Sequence, residues 1–439
     1  MKINKFTSAL IALGLVSAAS VAQANTTVYL TGSTAARAAI YAAATTPGQI
    51  FTGSVTVYGA NNNGNNTICY EGNIATVGTV DLDCSFTGSE AGIASVAGQT
   101  LTQNVNGGTY ALPGVPPSFL NPNNTFATTN TLQQITGSGT IYPDLSMADT
   151  SQAVSQTPKS LYNLVDYGVV GIIPFTFEKG YEASPDTAWS DFHNVTTAAF
   201  NQNLSAGDIY NANNYTGVAA DASDGVAIVG RNLGSGTRVN TLLNAQYGIS
   251  TPVKQQAFDS SYPSGTPGVL TFGGNYNSGQ GIQAAGDNFG NDGFDSGSSV
   301  QKEMNVDGTG CGDVVIGYLG VSDAQNAVNP AKAGVSTHLA TALSYNGVYE
   351  SDIGVINGTY TFWGQEHLLG QVNQSSTSPA GYTAAAIVSG IAAQLSTSHA
   401  GTATGDFSTS PLTQSVVIPT SLMQVHRSTD VGFPAQGNH

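Results

Sequence analysis

Residues 231–238, Arg-Asn-Leu-Gly-Ser-Gly-Thr-Arg, combine the groups that bind an oxyanion. They follow an apolar run at 226–229, which predicts a buried strand, and they precede apolar residues at helical spacing. A turn between a strand and the start of a helix leaves backbone N–H groups unpaired and directed towards one point. The hydroxyls of Ser235 and Thr237 and the guanidinium of Arg231 add donors there. The turn therefore predicts an anion site.

Two further Gly-Ser turns occur earlier in the chain, each after a predicted strand and before a predicted helix. Ser33 follows a strand expected at 27–30. Like Thr34, it is a natural N-cap for an Ala-rich helix that ends near residue 44. Ser89 follows a strand expected at 80–86. Both turns repeat the arrangement found around Ser235.

The alternation of strands and helices predicts an α/β protein with largely parallel sheets. Further buried strands are expected at 169–175 and 314–319, and a late amphipathic helix at 383–395. A chain of 439 residues exceeds the usual size of one domain, so two lobes are expected. Polar, Gly- and Asn-rich segments near 101–140 and 261–298 predict an insertion and a long loop.

The order of these motifs resembles that of the periplasmic phosphate-binding proteins of ABC transporters, within the type II solute-binding superfamily. Arg231-x-x-Gly-Ser-Gly-Thr237 is similar to that family's Arg-x-x-Gly-Ser-Gly-Thr arrangement. Residues 195–209 are similar to the family's helix that ends in a Phe-x-Gly-x-Ile-like turn. Ile316-Gly-Tyr-Leu319 is similar to its Ile-Gly-Tyr strand, which returns the chain to the first lobe.

This resemblance implies a two-lobed periplasmic-binding-protein fold of type II, with the ligand cleft between the lobes. Lobe 1 is expected to comprise residues 25–172 and 322–439, and lobe 2 residues 173–321. The implied function is the capture of inorganic phosphate, or a similar oxyanion, for a membrane transporter. An ABC transporter permease is the implied partner, and neither catalysis nor a cofactor is expected.

The resemblance also implies a set of phosphate-binding residues. The family's first phosphate loop corresponds to Ser33 and Thr34. Its second corresponds to Ser89, with the turn at 137–139 as an alternative, and its acidic residue corresponds to Asp149. The second lobe is expected to contribute Arg231, Ser235, Gly236 and Thr237.

Two residues near the motif concern the identity of the anion. The family often has an acidic residue two positions after the Arg, where this chain has Leu233. Arg238, directly after the motif, is an additional cation that either compensates a charge or is exposed.

Asp149 gives the expected site a means of selecting its anion. A carboxylate repels a fully ionised anion, but it accepts a hydrogen bond from an anion that still carries a proton. Phosphate carries a proton near neutral pH, whereas sulfate does not. The site is therefore expected to bind phosphate in preference to sulfate.

The N-terminal residues have the pattern of a secretory signal peptide, expected to comprise residues 1–24. Lys2 and Lys5 precede an apolar run that is too short to span a bilayer, and small residues end at Ala24. We expect a periplasmic or secreted protein without membrane insertion. The formal net charge of -16 argues against nucleic acid and anionic membranes as partners.

Three cysteines allow one disulfide in an oxidising compartment. Cys69–Cys84 is the favoured pair because both residues flank strand-like runs, and Cys311 is an alternative partner. No metal site is predicted, since neither CxxC nor metal-binding histidine spacing occurs. A calcium site remains an alternative for one Gly-rich loop, which contains Asp287, Asn291, Asp292 and Asp295.

Recognisable catalytic motifs are absent from the sequence. It contains no Gly-x-Ser-x-Gly elbow, phosphate-loop lysine motif or His-Glu-x-x-His pattern. An enzyme is therefore not predicted. The alternative to solute binding is a secreted or surface interaction protein that uses the same fold, with a vestigial or structural anion site.

Overall fold

The computed structural model describes most of the chain between residues 25 and 436. The described residues are 25–59, 66–98, 102–105, 108–111, 118–120, 132–134, 143–157, 163–258, 293–294, 296–329, 331, 338–371, 375–398, 405–427 and 435–436. The expected signal peptide lies outside them, as does most of the loop near 261–298.

Strands and helices alternate along the described residues. The strands are β1 (Thr26–Gly32), β2 (Thr56–Tyr58), β3 (Thr67–Ile74), β4 (Gly78–Ser85), β5 (Thr102–Val105), β6 (Gly108–Ala111), β7 (Ser118–Leu120), β8 (Leu132–Gln134), β9 (Leu145–Ala148), β10 (Val165–Lys179), β11 (Asn194–Val195), β12 (Gly225–Val229), β13 (Asp313–Gly320), β14 (Thr341–Tyr345), β15 (Trp363–Gly370), β16 (Val425–His426) and β17 (Ala435–Gln436). The helices are α1 (Arg37–Thr45), α2 (Ser89–Val96), α3 (Thr187–Asp191), α4 (Thr197–Ala206), α5 (Asn213–Thr216), α6 (Gly236–Asn244), α7 (Gly297–Met304), α8 (Val321–Ala327), α9 (Asp352–Asn357) and α10 (Pro379–Ser398).

The long strand β10 belongs to two sections of the main sheet. Its residues from Val165 to Pro174 pair with β15, and those from Phe175 to Lys179 pair with β13. The first section has the order β2-β3-β4-β1-β9-β15-β10. In the second section, the end of β10 is flanked by β13 and β14, which pair with β12 and β11 respectively. One continuous strand therefore connects the two sections.

The structure confirms the α/β class, but the sheet is mixed rather than largely parallel. β1 is parallel to both β4 and β9, and β12 is parallel to β13. β10 is antiparallel to β13, β14 and β15. The physical reason is that β10 takes the chain from the first section to the second and β15 brings it back beside β10.

The division into lobes remains a prediction, although the pairing of β10 is relevant to its boundaries. The expected boundary near residue 173 lies where β10 exchanges β15 for β13. The expected return to lobe 1 at residue 322 lies before β14, which pairs with the second-section end of β10.

A large apolar core packs against the first section of the sheet. In this core, α10 packs against α1, and its buried residues Ala384, Ile387 and Ile391 have helical spacing. In the second section, the ring of Phe177 lies 4.9 Å from those of Phe200 and Phe362. Each such side chain stabilises the fold by roughly 1.5–3 kcal/mol on burial. Within the described part of the chain, no helix has the length and apolarity needed to cross a membrane.

The expected Cys69–Cys84 disulfide is wrong for this structure, in which all three cysteines are free thiols. Cys69 is opposite Asp83, and Cys84 is opposite Ile68, on the antiparallel strands β3 and β4. The two cysteines are thus offset by one residue. Because successive side chains of a strand point to opposite faces, their thiols lie on opposite sides of the sheet.

A count of thiols tests this arrangement. We expect three reactive thiols after denaturation without reductant, and no change of melting temperature when a reductant is added to the folded protein. Ellman's reagent with and without guanidinium measures both. A single reactive thiol in the unreduced denatured protein would contradict the strand register, because it would require one disulfide.

Candidate functional site

The first Gly-Ser turn directs a buried serine to a carboxylate on another strand. Gly32 has φ 108°, and a Cβ there would lie 1.9 Å from the carbonyl oxygen of Met147, so only glycine fits. The Ser33 N–H donates to that carbonyl at 2.8 Å, and its Oγ donates to Glu366 Oε2 at 3.0 Å. The side chain of Ser33 is thereby fixed towards β15.

The expected capping of α1 by Ser33 or Thr34 is wrong. The helix begins at Arg37, and its N-cap position is Ala36, which makes no side-chain cap. Ser33 therefore lies too early in the chain for its hydroxyl to reach the first helical N–H groups. The carbonyl of Thr34 instead accepts a hydrogen bond from Arg37 Nε at 2.7 Å.

The second Gly-Ser turn brings Ser89 to Asp149. Gly88 has φ 111°, and its N–H donates to the Gly32 carbonyl at 2.8 Å. Ser89, the first residue of α2, donates from Oγ to Asp149 Oδ1 at 2.5 Å and accepts from the Asp149 N–H at 3.2 Å. The loop after β9 is thereby fixed to the start of α2.

The third turn meets the second through its backbone. The N–H groups of Glu90 and Ala91 donate to the Gly234 carbonyl at 3.0 and 3.2 Å. A Cβ on Gly88 would lie 2.4 Å from the same carbonyl oxygen. This close approach requires glycine at position 88 and brings the ends of β4 and β12 together.

Asp149 lies against the start of α6. A Cβ on Gly236 would lie only 1.6 Å from Asp149 Oδ1, so the carboxylate is packed directly on the helix backbone. Thr237 Oγ1 donates to Asp149 Oδ2 at 3.5 Å, and Asn240 Nδ2 donates to the Asp149 carbonyl at 2.7 Å. The hydroxyl of Ser235 is occupied as the N-cap of α6 and accepts from the Arg238 N–H. The carboxylate is therefore where the helix dipole favours negative charge.

Burial and hydrogen bonding shift the pKa of Asp149 in opposite directions. The residue is 2% exposed, and burial raises the pKa of its carboxyl to about 6. The hydrogen bond from Ser89 and the positive charge of Arg231 oppose this increase. Asp149 thus exchanges a proton close to physiological pH.

Arg231 is held by the residues that surround its backbone. Its N–H donates to Tyr318 Oη at 2.9 Å, and its Nε donates to the Phe294 carbonyl at 3.2 Å. Its carbonyl accepts from Arg238 Nη1 at 2.9 Å and from Gln255 Nε2 at 3.2 Å. Arg238 is fully buried, so the alternative of an exposed cation is wrong.

A distant carboxylate acts on Arg231 in place of one at position 233. Leu233 is buried, whereas Asp323, in the first turn of α8, lies close enough that Arg231 and Arg37 both lower its pKa. Burial has the larger effect and raises the pKa of Asp323 overall. Asp323 in turn opposes the lowering of the pKa of Arg37 by burial. The two guanidiniums therefore share a carboxylate from the second section.

Glu90 fixes the loop that carries Asp149. It is fully buried, and its carboxylate accepts from Thr150 Oγ1, Ser155 Oγ and the Gln156 N–H, each at 2.8 Å. Burial nevertheless raises the pKa of Glu90 to about 7. Because Ser89 binds Asp149 and the next residue binds the following loop, α2 determines the position of the carboxylate.

The structure brings together five of the residues expected from the sequence: Ser89, Asp149, Arg231, Gly236 and Thr237. The other three expected residues have different partners. Ser33 is hydrogen-bonded to Glu366, Ser235 is a helix N-cap, and the Thr34 carbonyl accepts from Arg37. The expectation that these residues bind phosphate remains a prediction.

Three residues near the site were missed by the sequence analysis: Arg37, Asp323 and Glu366. The signal for Glu366 was a carboxylate among the apolar residues of β15, and the signal for Arg37 was a cation one helical turn after a Gly-Ser turn. Asp323 had no such local signal.

Within the described residues, no cluster of three or more His, Cys, Asp or Glu side chains could hold a metal ion. The alternative calcium ligands Asp287, Asn291, Asp292 and Asp295 lie outside those residues, as does the alternative phosphate turn at 137–139.

Comparisons with known proteins give low similarities. No protein-family model and no curated protein matches the chain. Among solved structures, it is similar to one named as a phosphate ABC transporter substrate-binding protein with bound phosphate from Clostridium perfringens. The identity is 12%, the TM-score is 0.42, and 85% of this chain and 98% of that chain are covered.

Two further solved structures are similar to the chain. For PstS from Borrelia burgdorferi, the identity is 13% and the TM-score 0.33, with 80% of this chain and 89% of that chain covered. For an ABC-type phosphate transport receptor from Vibrio cholerae, the identity is 12% and the TM-score 0.29, with coverages of 53% and 69%.

Replacing Asp149 tests its burial through the pH dependence of stability. Because the folded-state pKa of about 6 exceeds the ordinary value of 3.8, folding favours the protonated form. The free energy of unfolding should therefore fall as the pH rises from 4 to 7, with a contribution from Asp149 on the order of 3 kcal/mol. Asp149→Asn should flatten this dependence, as measured by urea unfolding at several pH values.

Asp191→Asn, which changes an exposed carboxylate at the end of α3, is the matched control and should keep the wild-type slope. An equal slope in Asp149→Asn and the wild type would show that the carboxyl of Asp149 is not desolvated.

Proposed function

We propose that this protein is an extracytoplasmic solute-binding protein that captures inorganic phosphate, or a similar oxyanion, for a membrane transporter. The observation that carries the proposal is the convergence of the Ser89 and Thr237 hydroxyls on the Asp149 carboxylate at the start of α6, where the charge of Arg231 also lowers the pKa of Asp149. These groups are the donors and the acceptor that a proton-bearing oxyanion requires.

The donors are suited to a tetrahedral anion. Arg231 supplies a guanidinium that can form charge-assisted pairs with two oxygens, and hydroxyls of Ser89 and Thr237 approach from different sections of the sheet. The helix start beneath Asp149 adds backbone N–H groups and a favourable dipole. An oxyanion here would be bound by several short hydrogen bonds in a site without bulk water.

Asp149 makes the proposed site selective for the protonation state of its ligand. With a pKa of about 6, its carboxyl is mainly ionised at neutral pH. It then accepts a hydrogen bond from the protonated oxygen of phosphate, and it repels sulfate, which carries no proton. Selection thus depends on the ligand's proton and needs no difference in size.

β10 provides a hinge through which the site can open to a ligand. Since one strand runs through both sections, a small rotation about its middle would separate Ser89 from Thr237. A bound oxyanion would hold the sections together by bonding to both, as in a hinge-closing receptor.

The proposed compartment and partner depend on the N-terminal sequence. Residues 1–24 have the signal-peptide pattern, and the acidic composition suits a protein that diffuses without binding anionic membranes. Delivery to an ABC transporter permease requires binding and release only, so no chemical conversion of the anion is proposed.

A second candidate is an interaction protein in which the anion site is structural. It is favoured by the hydrogen bonds that Asp149 receives from Ser89 and Thr237 in the structure itself. In this alternative, the carboxylate is a built-in anion that joins the two sections permanently. Such a protein would gain no stability from added oxyanions.

A panel of oxyanions decides between the candidates. We expect phosphate to raise the melting temperature and sulfate to leave it unchanged, because only phosphate can donate a hydrogen bond to Asp149. Arg231→Ala should weaken phosphate binding by at least about tenfold, given the usual strength of a hydrogen bond between charged groups. Thermal unfolding and isothermal titration calorimetry measure these effects.

Lys302→Ala removes an exposed cation on α7 and should bind phosphate like the wild type. Equal affinity for phosphate and sulfate would refute the role of Asp149. No shift with any oxyanion, together with normal folding, would favour the structural role.

A further inference from the structure

Glu366 is a buried carboxyl group with one free oxygen. It lies on β15 and is 1% exposed. Oε2 accepts a hydrogen bond from Ser33 Oγ at 3.0 Å, whereas Oε1 is buried without a hydrogen-bond partner. A buried polar atom in this condition costs free energy unless it meets a ligand or another group. Neither the sequence motifs nor the proposed function accounts for it.

The strand register places Glu366 beside Asp149. His367 is opposite Ala148 in the antiparallel pair of β15 and β9, so the next residues along, Glu366 and Asp149, continue the same register. Asp149 is accordingly the charged group that acts on Glu366 among the described residues. Two neighbouring carboxyl groups do not both ionise easily.

Among the described residues, no cation lowers the pKa of Glu366. The turn after β1 contributes the neutral Ser33, and the register partner on β10 is Gly171. On α6, which packs against β15, Asn240 donates to the Asp149 carbonyl, and Arg238 donates to the Arg231 carbonyl.

The acid–base properties agree with this geometry. Burial and the Asp149 carboxylate together raise the pKa of Glu366 well above its usual value. Arg231 opposes the increase for Asp149, but it has no corresponding effect on Glu366. Asp149 therefore ionises first, and Glu366 keeps its proton.

We propose that Glu366 is a specificity-determining residue of the anion site, which in its protonated form donates a hydrogen bond from Oε1 to the bound oxyanion while Asp149 accepts one. This inference rests on the proposed function. Ser33 holds the acid by donating to Oε2, which leaves the proton on Oε1. Glu366 then donates a hydrogen bond to an ionised oxygen of the oxyanion, and Asp149 accepts one from its protonated oxygen.

The pairing couples ligand binding to pH. A rise in pH that removes the proton of Glu366 turns a donor into a second repelling carboxylate, so anion affinity falls. A neutral amide at this position would keep a donor and could not ionise. Glu366→Gln should therefore imitate the protonated acid, whereas Glu366→Ala should remove the hydrogen-bond donor.

Phosphate titrations of the full-length mature protein at pH 5 to 8 test the role of Glu366. We expect Glu366→Ala to weaken binding by about tenfold or more at low pH, the size of one lost hydrogen bond to an anion. Glu366→Gln should match the wild type as long as Glu366 keeps its proton, and bind more tightly than the wild type once a rise in pH removes that proton. Because both proteins meet the same forms of phosphate, their difference isolates the proton of Glu366.

An infrared measurement gives a readout that does not depend on phosphate. The difference spectrum of the wild type and Glu366→Gln at pH 7 should contain the C=O stretch of a protonated carboxylic acid. Circular dichroism and melting temperature establish that Glu366→Gln is folded, so the result stands even where Glu366→Ala does not fold.

The outcomes separate this inference from the proposed function. Phosphate binding without the carboxylic-acid band, or with unchanged affinity in a folded Glu366→Ala, overturns the inference alone. Tighter binding by Glu366→Gln at every pH also overturns it, since Glu366 would then be an ionised, repelling group. The band without any oxyanion binding overturns the donor role and the proposed function together.

Discussion

The buried carboxylate of Asp149 is the constraint on which the rest of the site depends. A desolvated charge is stable only where donors surround it, and here they come from both sections of the sheet: Ser89 from the first, Thr237 and Arg231 from the second. The start of α6 lies against the same carboxylate. The same donors and helix start that stabilise the Asp149 carboxylate would also stabilise a bound oxyanion.

The scaffold brings these groups together through backbone contacts that only glycine permits. Gly32 and Gly88 both have positive φ, and each has a carbonyl oxygen at the place where a Cβ would lie. The turns after β1, β4 and β12 therefore touch through their main chains. Such contacts are more rigid than side-chain contacts, and they determine where the hydroxyls of Ser33 and Ser89 can point.

The charges around the site are balanced by residues that are far apart in the chain. Asp323 acts on Arg231 although it is 92 positions later, and Arg238 donates to the carbonyl of Arg231 from within the next helix. Among the described residues, no cation lowers the pKa of Glu366, whose charged neighbour is Asp149. Within an acidic protein, this imbalance is a source of pH sensitivity rather than of simple stabilisation.

The sequence by itself determined the local elements and most of the residues at the third turn. The apolar runs predicted β12 and β13, because burial on both faces selects continuous apolar strands, and the Gly-Ser pattern identified Ser89 and Ser235 at helix starts. Only the tertiary structure decided which hydroxyls cap helices and which meet carboxylates, as the contrast between Ser235 and Ser33 shows. It also decided that Cys69 and Cys84 point apart and that Glu366 lies beside Asp149. These outcomes depend on strand register and on pairing between distant segments, which local propensity and spacing do not contain.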